Sequence, residues 1–168
     1  MKSKVVAITL LASTTMIGYS STSFANTCYE VSGSVYTENV TSSLQIGNMS
    51  LTLSDNSGPV FTETGSLVGN ITGATGPATT ILSHKARFPQ GDSFVTEGDV
   101  AQLTGILDVD ADYVPCAFSV YEKLTNIAKG TRFFKNVTSV DVTAIGSVSN
   151  CPNLNQNSFQ LSGTLCVE

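Results

Sequence analysis

Two stretches decide the fold: CYEVSGSVYT, residues 28–37, and SFQLSGTLCV, residues 158–167. In the first, Tyr29, Val31, Gly33 and Val35 share one face while Glu30, Ser32 and Ser34 share the other, the period of two that marks a half-buried strand. Laid antiparallel with Cys28 opposite Cys166, Tyr29 faces Leu165, Val31 faces Gly163, Gly33 faces Leu161 and Val35 faces Phe159. Apolar positions then meet across one face and both cysteines fall on the other. Opposed residues of an antiparallel pair have Cα atoms about 4.5–5.5 Å apart, within the roughly 4.4–6.8 Å that a disulfide spans. The register therefore predicts a Cys28–Cys166 bridge and a sheet closed by its own terminal strands. Cys116–Cys151 remains as the second bridge, since Cys151–Cys166 would have to connect opposite ends of one strand.

The chain between these ends has the same texture. Alternation predicts strands in SLQIGNMSLTLS (43–54), with a bend at Gly47-Asn48, and over Val60–Thr64, Gly65–Thr72, Thr79–Phe88, Ser93–Val109, Pro115–Lys123, Thr131–Ser149 and Ser158–Val167. Turns are expected at Asp55–Pro59 and Gly73–Pro77. Only Tyr121–Gly130, with Leu124, Ile127 and Ala128 near helical spacing, is expected to hold a short helix. Phe133 and Phe134 are expected to send one ring to each side of their strand. Recurrent glycines inside strands (VSGSV, TGSLVG, LTGIL, LSGTL) suit the tight coiling of a small closed sheet. The expectation is all-β: a single antiparallel β-barrel of about eight strands, with a β-sandwich as the alternative. In shape this resembles the small barrels of the calycins. The Gly-x-Trp signature of lipocalins is absent, and the chain has no tryptophan.

The opening MKSKVVAITLLASTTMIGYSSTSFA reads as a secretory leader over residues 1–25, with two lysines, an apolar run from Val5 to Ile17 and a small-x-small site at Ser23-Phe24-Ala25. That run is too short and too interrupted to span a bilayer as a helix. The leader reads as bacterial, so the sequons at Asn39, Asn48, Asn70 and Asn136 are taken as chance matches. Residues 26–168 form one domain, destined for the periplasm or the exterior. An even set of four cysteines in an exported chain reads as two structural disulfides. Without Lys2 and Lys4, six cations (Lys85, Arg87, Lys123, Lys129, Arg132 and Lys135) face thirteen acids, a net of −7. That balance opposes nucleic acid and anionic membrane surfaces. No membrane insertion is expected, and self-association stays open.

The one histidine lies in SHKARFPQGDSFVTEGD, residues 83–99. Leu82, His84, Ala86 and Phe88 share a face, and FPQG suits a type I turn ending in a left-handed Gly91. Pairing Phe88 with Asp92 puts Ala86 opposite Phe94 and His84 opposite Thr96, with Lys85 diagonal to Glu97 on the outer face. His84 thus points inward, either as a core histidine bonded to Thr96 or backbone, or as a polar group fixing a ligand in an apolar lumen. His84, Thr96, Phe94 and Phe118 are the candidate lumen residues. No GxSxG or HExxH motif is present, and no catalytic residue is assigned. Asp108, Asp110 and Asp112 imitate the start of a calcium loop, but Tyr113 stands where glycine is needed and Ser119 where the closing glutamate belongs. They read better as a solvated edge or turn. A lone histidine with no CxxC spacing gives no zinc motif, and no cofactor is expected. The function expected is an exported, non-enzymatic barrel binding a small apolar ligand in its lumen. The alternatives are a surface or assembly protein, such as an adhesin or coat component, and a small barrel hydrolase or isomerase using His84.

Overall fold

The computed structural model describes residues 26–168, and the leader expected over residues 1–25 lies outside them. The strands are β1 (Thr27–Asn39), β2 (Leu44–Asp55), β3 (Gly58–Gly76), β4 (Thr79–Arg87), β5 (Ser93–Thr96), β6 (Asp99–Val109), β7 (Pro115–Leu124), β8 (Ile127–Thr131), β9 (Val137–Ser149) and β10 (Asn157–Val167). A short 310 turn covers Arg132–Phe134. All pairings are antiparallel, in the order β3-β2-β1-β10-β9-β7-β6-β4-β5-β8, and a further β3–β4 pairing closes a ring of eight strands.

Each strand of the ring pairs with its neighbours in sequence, an up-and-down meander whose ends meet. β1 and β10 pair from Thr27↔Val167 to Thr37↔Asn157, with Cys28 opposite Cys166 as the apolar pattern requires. Both disulfides, Cys28–Cys166 and Cys116–Cys151, are formed. Inward positions such as Val31, Val35, Met49, Leu51, Leu53, Leu67, Val142 and Leu161 build one core.

β5 and β6 are one chain pass interrupted by a bulge. The pairing Arg87↔Ser93 through Lys85↔Val95 continues as Leu82↔Asp99 through Thr79↔Gln102, displaced by one residue. Gly98 makes the step with φ 78°, a value at which only glycine is unstrained, and its N–H donates to the Leu82 carbonyl at 3.1 Å. Phe94 and Thr96 point inward before the step, and Asp99 and Ala101 after it. β7 and β8 are likewise one pass with a break at Thr125-Asn126. Tyr121–Gly130 is therefore strand and not helix, because both halves find partners, β6 and β9 for the first and β5 for the second. The bend expected at Gly47-Asn48 is absent, since β2 pairs continuously with β1 there. Val60–Thr64 and Gly65–Thr72 are one strand, β3.

One end of the ring is sealed. The chain leaves β8 at Arg132, whose φ is 51°, and the 310 turn sends both following rings inward, where alternation in a strand would have separated them. Phe134 is 1% exposed, stacks edge-on to Phe61 and Phe94 at 5.4 and 5.0 Å, and Phe133 lies 5.4 Å from Tyr29. The opposite end, carrying the β1–β2, β3–β4, β6–β7 and β9–β10 connections, is open.

Gly146 of β9 lies against β10, and a Cβ there would be driven into the Ser158 carbonyl and the Phe159 backbone. Gly76 has nothing within 4 Å of the same added atom. Gly146→Ala is expected to lower stability by about 1–3 kcal/mol in urea unfolding, as overpacking does, and Gly76→Ala to leave it within about 0.5 kcal/mol. Equal effects of the two would remove close strand approach as a constraint on the ring.

Candidate functional site

A polar layer crosses the middle of the ring. The β4 residue His84 sits beside the bulge, and its backbone N–H donates to Thr96 Oγ1 at 3.0 Å. The Thr96 hydroxyl in turn donates to Asp99 Oδ2. The imidazole Nδ1 lies 2.8 Å from the same Asp99 oxygen and 3.5 Å from Glu122 Oε1, from β7. Asp99 is 0% exposed, Thr96 1% and Glu122 5%. Two carboxylate oxygens, Asp99 Oδ1 and Glu122 Oε1, are buried without a hydrogen-bond partner. Buried polar atoms are nearly always paired, because an orphaned one carries its full desolvation penalty.

The electrostatics follow from burial and proximity. Burial most strongly opposes the imidazolium of His84, yet the hydrogen bond to Asp99 and the charges of Glu122 and Asp99 outweigh it and raise its pKa above 6.5. Burial raises the Glu122 pKa above 4.5; the His84 charge opposes the rise and the Asp99 charge adds to it. The layer therefore holds protons more tightly than the unfolded chain does. Among the described residues, the side chains whose ligand atoms converge are these three, His84, Asp99 and Glu122, all within 4.8 Å of one another.

The space around the layer is unequal. Beside and below it, the interior is filled: one cavity of about 30 Å³ touches His84, Glu122 and Gly69, and another of about 30 Å³ is bordered by Phe94, Thr96 and Phe134. Each holds a water or two at most. Above it, the open end forms a cup of about 130 Å³, with Ile71, Leu82, Ala101, Val120, Val148 and Phe159 in its wall, Asn39, Ser42 and Asn150 at its rim and Glu122 in its lining.

The lumen residues read from the sequence are thus separated. His84 and Thr96 meet as the hairpin register predicts, and Phe94 belongs to the aromatic seal. Phe118 is half-buried and lies outside the core cluster, opposite Ile106 where the β6–β7 hairpin leaves the ring. Lys85 pairs opposite Val95, and Glu97 falls in the bulge. Asp108 and Asp112 are exposed, and Asp110 Oδ1 accepts the N–H groups of Asp112 and Val114, both at 2.9 Å, which is the turn reading. Asp99 and Glu122 are the members that sequence reasoning missed. Glu122 was accessible to it: four residues after the lumen candidate Phe118 in the expected strand Pro115–Lys123, it falls on the same face by alternation. Asp99 was not, because an unbroken strand over Ser93–Val109 turns it outward.

The chain matches no protein-family model, no curated protein and no solved structure.

Both raised pKa values act in one direction. The native state binds these protons more tightly, so their stabilisation is complete below the unfolded values, about 4.5 for Glu122 and 6.5 for His84, and is lost as pH rises through the folded ones. Asp55, whose pKa is lowered by its hydrogen bonds to Ser57, titrates below this window, and Lys123, raised by Asp141, above it. Chelator-treated protein is expected to lose Tm as pH rises above these unfolded values. Glu122→Gln, which has no charge to bury, is expected to show a shallower decline. A Tm that climbs across this window in the parent protein would contradict the assignment.

Proposed function

We propose that this chain is an exported, non-enzymatic binding protein that takes a small, largely apolar ligand into the open end of its ring. The observation that carries the reading is the cup: apolar walls, a polar rim and a single carboxyl group in its lining. Its volume of about 130 Å³ approaches that of a cavity that admits benzene, about 150 Å³. It lies well below the roughly 300–1,000 Å³ of sites for drug-sized ligands. The ligand is therefore small, or enters with one end only, and a hydrogen-bond donor on it would complement Glu122. The filled interior below moves the binding position from the lumen centre to its mouth. Export is supported by the two disulfides, which persist in oxidising compartments, and by the leader sequence. The non-enzymatic reading is supported by Thr96, the hydroxyl nearest His84, which is 1% exposed and sealed from the cup.

One observation favours the assembly reading as a second. β4 pairs with β6 only as far as Gln102, so the edge of β6 beyond it is open. The hairpin that follows exposes Ile106, Leu107, Tyr113 and Val114, the tyrosine at 86%. An open apolar strand edge is a template for pairing with another chain.

Native mass spectrometry of untagged protein purified from an oxidising compartment separates the two. A monomer carrying a discrete small adduct, lost in Ala101→Phe while the disulfides and circular dichroism persist, is the expected result. A bare multimer would favour assembly through the hairpin, and an adduct unchanged by filling the cup would remove the cup as its site.

A further inference from the structure

We propose that His84, Asp99 and Glu122 form a binding site for one divalent transition-metal ion, with Zn²⁺ the best match. The inference goes beyond the ligand reading and stands without it. Three observations converge. The ligand atoms of the three side chains come within 4.8 Å of one another, although they arise from β4, the start of β6 and β7. The Nδ1–Asp99 and Nδ1–Glu122 separations of 2.8 and 3.5 Å bracket the edge of about 3.3 Å expected for a tetrahedron with ligands at 2.0–2.1 Å. Asp99 Oδ1 and Glu122 Oε1 are buried and unpaired, each on a side chain more than nine-tenths buried. Neither oxygen has a hydrogen-bond partner, and a cation held between the two carboxylates would compensate the charge they bury.

The donor set discriminates among ions. Two carboxylates and one neutral imidazole carry two negative charges, which a divalent cation cancels. Calcium takes six to eight oxygen ligands, more than three side chains in a filled interior supply. An imidazole with carboxylates suits zinc, which commonly takes three protein ligands and leaves a fourth position for water. The surroundings supply both remaining parts. The Thr96 hydroxyl donates to Asp99 Oδ2 and so fixes the orientation of that carboxylate, as outer-shell partners of metal ligands do. The water-sized cavity bordered by His84 and Glu122 offers room for a fourth ligand. Gly69 belongs to the same arrangement: a Cβ there would stand 3.1 and 3.3 Å from the His84 ring atoms Cδ2 and Nε2, so the absent side chain leaves the imidazole its place.

The single histidine makes the test direct, because every imidazole signal in the protein belongs to His84. Untagged, folded protein is stripped with chelator and titrated with ZnCl₂, followed by isothermal calorimetry and by long-range ¹H–¹⁵N spectra of the imidazole. Expected are one Zn²⁺ per chain, a large shift of the His84 Nδ1 resonance saturating at the same stoichiometry, and a raised Tm. MgCl₂ and CaCl₂ at equal concentration are expected to reproduce none of these. Glu122→Gln and Asp99→Asn keep the shape of the site, and each is expected to weaken Zn²⁺ binding at least tenfold, the scale on which even outer-shell changes act. Should either variant fail to fold, the imidazole spectrum of the parent decides alone. His84 resonances unmoved at saturating Zn²⁺, or an affinity equal in parent and folded variants, would overturn the proposal and assign the binding to surface carboxylates.

Discussion

Everything in this structure depends on the pairing of the first described strand with the last. An open eight-stranded meander would expose the edges of β1 and β10 and leave its apolar face to one side. Once those strands pair, the edges vanish and the face turns inward on itself. The Cys28–Cys166 bridge spans a sequence separation of 138, so it removes a long closing loop from the unfolded ensemble, an effect typically worth about 2–4 kcal/mol. Closure also fixes the diameter. Eight strands enclose a space that side chains can fill, so the interior is a stack of layers with little free volume.

That stack has a direction. At the end where the 310 turn folds in, Phe61, Phe88, Phe94 and Phe134 pack in edge-on, tilted and stacked contacts 5.0–6.2 Å apart, geometries that favour aromatic pairs beyond simple burial. At the other end the strands run on past the core, and their inner faces turn polar at Asn39 and Asn150. Asn157 stitches part of this rim, its side-chain amide donating to the Thr37 hydroxyl at 3.1 Å and to Asn39 Oδ1 at 2.8 Å. Between seal and rim lies the His84–Asp99–Glu122 layer, screened from solvent below and reached through the cup above.

The closed, antiparallel architecture was legible because period-two alternation and parity in the terminal strands demand one register, and that register also places the cysteines. The His84–Thr96 pairing was legible because Phe88-Pro89-Gln90-Gly91 fixes the hairpin. What escaped reading were phase changes. Gly98 occupies an exposed position in a polar stretch, and nothing local distinguishes a bulge glycine from a turn glycine. Its one-residue step carries Asp99 from the solvent face to the centre. At Arg132 a left-handed residue other than glycine turns two phenylalanines the same way, which propensity alone opposes. In both places the tertiary partner decides: Leu82 for the bulge, the open end of the ring for the aromatic pair.

Stability gives no account of the polar layer. Replacing a buried ionic group by well-packed apolar side chains of similar volume is often neutral or stabilising, and β-strands tolerate valine or leucine at inward positions better than aspartate or glutamate. Here two carboxylates and the chain's only imidazole occupy three inward positions on neighbouring strands. The bulge brings one of them in at the expense of a regular ladder. The surroundings, Leu67, Leu82, Ala86 and Leu124, are apolar core. The layer is also placed asymmetrically, beneath the cup and away from the sealed end, and of its members Glu122 is the one that lines the cup. A group kept for packing has no need of that position, and a group that meets an incoming ion or ligand does.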